Sequence, residues 1–338
     1  MKRKEFIDIA KGIGIILVIL GHLNISGQYS RNIIYAFHMP FFFVLSGAFS
    51  HTNIGFKQYF VKIFKRLYIP FVVFLVIDTF IGLLIAILKG TNIFSVLLNG
   101  IYSLIGFKFN TYNLPLWFLF VLFIIQMAYF WVNKSKILKI IVVVLGCLIV
   151  MTSKNIEYIK GCLYIIAIPC FSFYILGDTL KKYIISISEK VNEYTCKYLV
   201  ISSLFLGILA FCSIKNGIVE MIKYSYGNWG LFFINALAGT YLLLVISAFL
   251  TRFKVISKSL SFLGRNSIVI LVTHYYICRI ILPKVMADLG LYQYLYSYIT
   301  QGIVLVLVIC LMVPTILFAN RHLGIIFGKN SYMGKLNR

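Results

Sequence analysis

An acid, a base and an imidazole stand on the first helical stripe of the chain. Asp8 and Lys11 open an apolar run, Gly12 to Gly21, that ends on His22. On an α-helix, eleven residues at about 100° each bring His22 to within about 20° of Lys11. At about 1.5 Å per residue the two groups lie roughly 16 Å apart along the axis, about half a bilayer. Ionisable groups inside hydrocarbon are costly and mark functional candidates. A cation towards one membrane face and an imidazole towards the other suit a substrate that enters from one side and reacts deep in the membrane.

Three further groups belong with them. His38 begins the segment Phe37-His38-Met39-Pro40-Phe41-Phe42-Phe43-Val44-Leu45-Ser46-Gly47. That segment enters the membrane from the outer side, so His38 is expected at the depth of His22. Pro40 removes a backbone donor, and Ser46-Gly47 permits close helix packing. His274 falls mid-span, where a structural and a catalytic role are both open. Asp78, inside the third span, reads as structural or supportive, Asp178 as interfacial, and His322 as a solvated residue of the tail. Lys57, Lys62, Lys65 and Arg66 flank an inner helix start. They serve topology and contact with anionic lipid, and they also suit a phosphate-rich cytosolic ligand, for which arginine is the better fork.

The elements that position these residues are membrane helices. The chain is 61% hydrophobic and 12% charged, with mean hydropathy +0.95. A soluble domain is only about 45–50% apolar and about 25% charged, so an all-α polytopic membrane protein is expected. The first run has an acid and a lysine at its start and no A-x-A-like exit, so it reads as a retained helix and not a cleaved signal. None of the seven cysteines shows C-x-x-C or His/Cys ligand spacing, so neither a metal site nor a disulfide framework is expected.

Ten apolar runs are long enough, or nearly so, to span: 6–25, 33–50, 69–88, 114–132, 137–153, 158–177, 198–214, 229–250, 267–283 and 293–318. A further run at 93–107 reads as interfacial. With the N-terminus inside, the segments assigned to the cytoplasm hold 23 of the 32 basic residues. They include Lys2, Arg3, Lys4, Lys134, Lys190, Arg252, Lys258, Lys329, Lys335 and Arg338. This alternation predicts about ten spans with both N- and C-termini cytoplasmic, and it explains the basic excess without nucleic acid. Trp117 and Trp229 fall near outer ends and Trp131 near an inner end, as an aromatic belt requires. With no repeat or linker visible, residues 1–338 read as a single membrane-embedded domain.

At these residues the chain resembles the acyltransferase 3 family of integral-membrane O-acyltransferases, nearest to its stand-alone, fucose-O-acetylase-like type. Members open with Leu-Asp-x-x-Arg-Gly and a histidine after ten intervening residues, matched by Asp8, Lys11-Gly12 and His22. A Phe-His-x-Pro-x-Phe-Phe-x-x-Ser-Gly segment is matched by Phe37 to Gly47, and Arg-Leu-x-x-Pro by Arg66 to Pro70. Leu116-Trp117-Phe118-Leu119 and Gly264-Arg265-Asn266-Ser267 with His274 complete a series that runs from residue 5 to about 275. One departure is the lysine at position 11, which keeps the charge but loses the planar fork of the family's arginine.

The resemblance implies a multi-pass plasma-membrane enzyme that moves an acyl group from cytosolic acyl-CoA to a carbohydrate hydroxyl on the outer face. Acetyl-CoA is the expected donor. It implies His22, His38 and Asp8 as catalytic residues, Lys11, Lys65 and Arg66 as holders of the nucleotide, and Trp117 and His274 as substrate-binding residues. His22 would act as general base or through an acyl-histidine, and the residues leave both open. Membrane lipid is an expected partner, and a homo-oligomer is compatible with the chain. A transporter or flippase of a polysaccharide precursor is the rival class, but it predicts inverted repeats and matched broken helices, and neither is visible.

Overall fold

The computed structural model describes residues 5–23, 28–153, 161–290 and 298–328. Lys2, Arg3, Lys4, Lys329, Lys335, Arg338 and the start of the tenth apolar run lie outside them. The fold is all-α, and the extended pairing found among the described residues is a single bridge, Glu220 to Ser225. In chain order the helices are α1 (Glu5–His22), α2 (Gln28–Ala48), α3 (Phe56–Ile63), α4 (Ile69–Lys89), α5 (Ile93–Leu104), α6 (Trp117–Val132), α7 (Lys136–Thr152) and α8 (Leu163–Thr179). They continue with α9 (Lys181–Glu193), α10 (Thr195–Asn216), α11 (Trp229–Leu250), α12 (Lys254–Arg265), α13 (Ser267–Tyr276), α14 (Leu282–Asp288) and α15 (Tyr298–His322). Two π-helical turns, Phe64–Tyr68 and Ile277–Ile281, join α3 to α4 and α13 to α14.

Every expected apolar run carries a helix, because a bilayer offers the backbone no other hydrogen-bond partners. Fewer of these helices than ten are individually long and apolar enough to cross. Six helical stretches are long and apolar enough to span, or seven if α8 and α9, bent by 59°, make one crossing. Helix α1 falls outside that set because Glu5, Asp8 and Lys11 crowd its 18 residues. Helix α2 opens on the polar Gln28-Tyr29-Ser30-Arg31-Asn32, and α7 has only 17 residues. By length and composition, then, six or seven stretches among the described residues are able to span, and the expected count of about ten is not confirmed.

The described chain forms two compact units. One comprises residues 1–50, 173–220 and 225–312. In it, α1 lies along α12, backbone close to backbone at two glycines. A Cβ on Gly12 would strike the Leu260 carbonyl, and one on Gly264 would strike the Asp8 carbonyl. Helices α2 and α8 meet in the same reciprocal way, Gly47 against the Tyr174 carbonyl and Gly177 against the Val44 carbonyl. Small residues allow this backbone approach in a membrane, where hydrophobicity alone does not pull helices together. The close-packing role expected of Ser46-Gly47 is thus fulfilled at Gly47.

The second unit comprises residues 51–172, 221–224 and 313–338. Its core is aromatic: Phe64 and Tyr68 pack on Phe123, and Phe71 on Phe120. The run at 93–107 is largely the helix α5, turned back from α4 at Gly90, which adopts the left-handed φ of 63°. Asn92 caps its start by accepting the Ser95 N–H. Asp78, buried on α4, accepts the backbone N–H groups of Tyr112 and Asn113 at 2.9 and 2.8 Å. Its supportive role is to hold the loop that leads into α6.

Candidate functional site

The first unit gathers three imidazoles. Helix α1 runs unbroken from Glu5 to His22, so Lys11 and His22 keep the separation that the sequence predicts. His22 closes the helix as a half-buried ring. It lies 5.3 Å from the His274 ring, 5.1 Å from Tyr275 and 6.4 Å from Tyr35, between ring centres. Tyr35 in turn packs edge-on against His38 at 5.1 Å. An aromatic chain thus runs from His38 through Tyr35 and His22 to His274, across α2, α1 and α13.

Two members of that chain are fixed. His38 Nδ1 sits 2.7 Å from the Ile34 carbonyl and His274 Nδ1 sits 2.8 Å from the Ile270 carbonyl, each one helical turn back. A carbonyl only accepts, so both Nδ1 atoms carry the proton and both lone pairs fall on Nε2. Both rings are buried, His274 to 0% exposure. His274 Nε2 is enclosed and has no hydrogen-bond partner among the described residues. A buried acceptor left so costs about 1–3 kcal/mol. Among the described residues His22 has no such tie, and it is the one histidine of the three that keeps some exposure.

Charged groups border the cluster. Arg31 lies over the Tyr35 ring at 5.3 Å and pairs with Glu220 at 3.6 Å. Arg279, in the π-turn after α13, is near enough to act on His22 electrostatically, as is Arg31. The sequence reading missed Tyr35, Tyr275, Arg31 and Arg279. The signal for Tyr35 was its position three residues before His38 on one helix face, and for Tyr275 its adjacency to His274.

Other expected residues are placed differently. Asp8 is buried where α1 meets α12, its carbonyl beneath Gly264. Fourteen residues of helix put it about 21 Å from His22, so the two do not meet. His274, expected to touch substrate, is wholly enclosed behind His22. Lys11 is half-buried on α1. In the second unit, Lys65 and Arg66 are exposed on the π-turn before α4, and Arg66 donates to Gln126 Oε1 at 3.0 Å. Trp117 opens α6 as a buried ring, 6% exposed, so it is neither a belt residue nor an open stacking platform. Trp131 and Trp229 are exposed, as a belt requires. Among the described residues no group of three or more His, Cys, Asp or Glu side chains is arranged to hold a metal ion.

Comparison with known families matches the chain over residues 4–320 to the model described as an acyltransferase domain. No curated protein and no solved structure matches the chain.

Proposed function

Because the chain belongs to the acyltransferase 3 family, a family of membrane acyltransferases, we propose that it O-acylates a cell-surface or lipid-linked carbohydrate, with cytosolic acetyl-CoA as donor. The observation that carries the reading is His22, part-exposed at the end of α1 and packed against the enclosed His274. Its imidazole acts as general base. His22 takes the proton of a sugar hydroxyl as its oxygen attacks the thioester carbonyl. The C–O bond forms, the C–S bond breaks, and the leaving coenzyme A thiolate recovers that proton from the imidazolium. Positioned general-base help contributes about 10²–10⁴ in rate.

On the unit that holds His22, Lys11 supplies positive charge for the nucleotide. At Lys11 the contact is a point charge and not a bidentate fork. His38 holds the Tyr35 side of the cluster. Asp8 serves the α1–α12 seam and takes no part in the proton transfer. The protein sits in the plasma membrane, with α1, α2 and α7 among ten crossings and both termini in the cytoplasm. That topology brings the thioester to His22 from one side and the alcohol from the other.

The test is acetyl transfer from labelled acetyl-CoA to surface glycans of cells carrying the gene. His22→Ala should lower transfer by at least about 100-fold with the melting temperature of the purified protein unchanged. A variant that transfers at the wild-type rate would remove His22 from the chemistry. Glycan labelling that persists when acetyl-CoA is absent would remove the donor.

A further inference from the structure

Among the described residues, His274 holds the one ring nitrogen of the cluster that is enclosed and without a hydrogen-bond partner. Its Nδ1 proton is committed to the Ile270 carbonyl, so Nε2 is a lone pair waiting for a donor. The ring has no exposure, so a sugar hydroxyl does not reach it. A donor for Nε2 is to be sought among the side chains packed on the ring.

His22 is placed to be that donor. The two ring centres are 5.3 Å apart at 41°. A ring nitrogen lies little more than 1 Å from its centre, so nitrogens turned towards each other would stand about 3 Å apart, a hydrogen-bond length. Tyr275 and Tyr35 are inclined to the His22 ring at 77° and 76°, so neither is stacked flat on it. Among the described residues His22 has no backbone tie of the sort that locks His38 and His274.

We propose that His274 is a positioning residue: its Nε2 accepts a hydrogen bond from the N–H of His22, fixes the tautomer of His22 and turns the other His22 nitrogen to the substrate as a lone pair. The assignment rests on the reading of His22 as general base. When His22 takes the hydroxyl proton, its second N–H is already held, and the positive charge that develops is shared with an acceptor excluded from water. The arrangement follows the general logic of a base oriented by a third group, with a neutral imidazole where a carboxylate often stands. The locked Nδ1–H of His274 explains why a histidine fits here: its backbone bond forces the lone pair to Nε2.

The experiment compares His274→Gln, His274→Asn and His274→Leu in the full chain in lipid nanodiscs. Nitrogen-15 histidine spectra report the His22 tautomer, and [1-¹³C]acetyl-CoA transfer to surface glycans reports turnover. Glutamine carries its amide oxygen near the reach of Nε2, whereas asparagine stops near Nδ1 and leucine offers no acceptor. A single His22 tautomer is expected in the wild type and in His274→Gln, and a mixture in His274→Leu and His274→Asn. Turnover should fall about 10–100-fold in the latter two, with KM for acetyl-CoA unchanged, and within about fivefold in His274→Gln. An unchanged His22 tautomer in His274→Leu would overturn the assignment, as would equal losses in His274→Gln and His274→Asn. If His274→Leu does not fold, the Gln–Asn pair decides alone. Failure of the general-base reading is distinct: it shows as an active His22→Ala protein, whatever the tautomer.

Discussion

Tyr35 carries more of the imidazole cluster than its residue type suggests. Its hydroxyl donates to the Gly21 carbonyl at 3.1 Å, one residue before His22, and its ring touches both His22 and His38. The last carbonyls of a helix have no partner within it, and Tyr35 satisfies one of those of α1. Tyr35→Phe removes a bond worth about 0.5–1.5 kcal/mol, so the fold survives while the end of α1 loosens. Acetyl transfer should drop roughly tenfold, with the melting temperature nearly unchanged. Transfer assays alongside a thermal melt check this, and an undiminished rate would reduce Tyr35 to packing. His22 was legible in the sequence because an imidazole that ends an apolar run is hard to place otherwise. Tyr35 was not, because aromatics make up 17% of the chain and tyrosine has routine work at a membrane interface. The meeting of His22 with His274 was not legible either. It depends on two helices from opposite ends of the chain packing together, and no local pattern records it.

At the scale of elements, the seam between α1 and α12 sets the position of the imidazoles. Gly12 and Gly264 each face a carbonyl of the opposite helix, and Ser257 hydrogen-bonds Glu5 at one end of the contact. Helix α13 follows α12 after Asn266, so the spacing at Gly264 fixes where His274 stands relative to His22. A side chain at 264 meets backbone, which cannot rotate aside, so the helices must part. Gly264→Val should destabilise by about 1–3 kcal/mol and lower transfer more steeply than stability, since His274 moves away from His22. A melting curve and a transfer assay on one preparation separate the two effects; a stable, fully active Gly264→Val would show that the seam tolerates parting. The long apolar helices were readable from hydropathy. Helix α12 was not, because its 12 residues are largely polar and mix buried Ser257, Ser261, Leu263 and Gly264 with exposed lysines. The Gly264-Arg265-Asn266-Ser267 signature was visible as a string, but its purpose as a contact for Asp8 and Gly12 required the fold.

For the molecule as a whole, the decisive question is how many helices cross. Hydropathy and length mark six stretches, or seven with the bent pair. The basic residues alternate as ten crossings require. The two readings differ at α1, α2 and α7, where charge, polarity or shortness weakens the apolar signal. They also differ in chemistry, because His22 meets an outer-face alcohol only if α1 carries it there. Dropping α1 and α2 together leaves the sidedness of later loops unchanged, whereas dropping α7 alone reverses every loop after it. Tyr29 and Thr152, both exposed and at the ends of α2 and α7, do discriminate. In a chain freed of its seven cysteines, Tyr29→Cys and Thr152→Cys should react with an impermeant maleimide in intact cells, and Lys258→Cys only after permeabilisation. Protection of both Tyr29→Cys and Thr152→Cys in intact cells would put the imidazole cluster on the cytoplasmic side. The acceptor would then have to be a cytosolic hydroxyl, while the roles of His22 and His274 in transfer would stand.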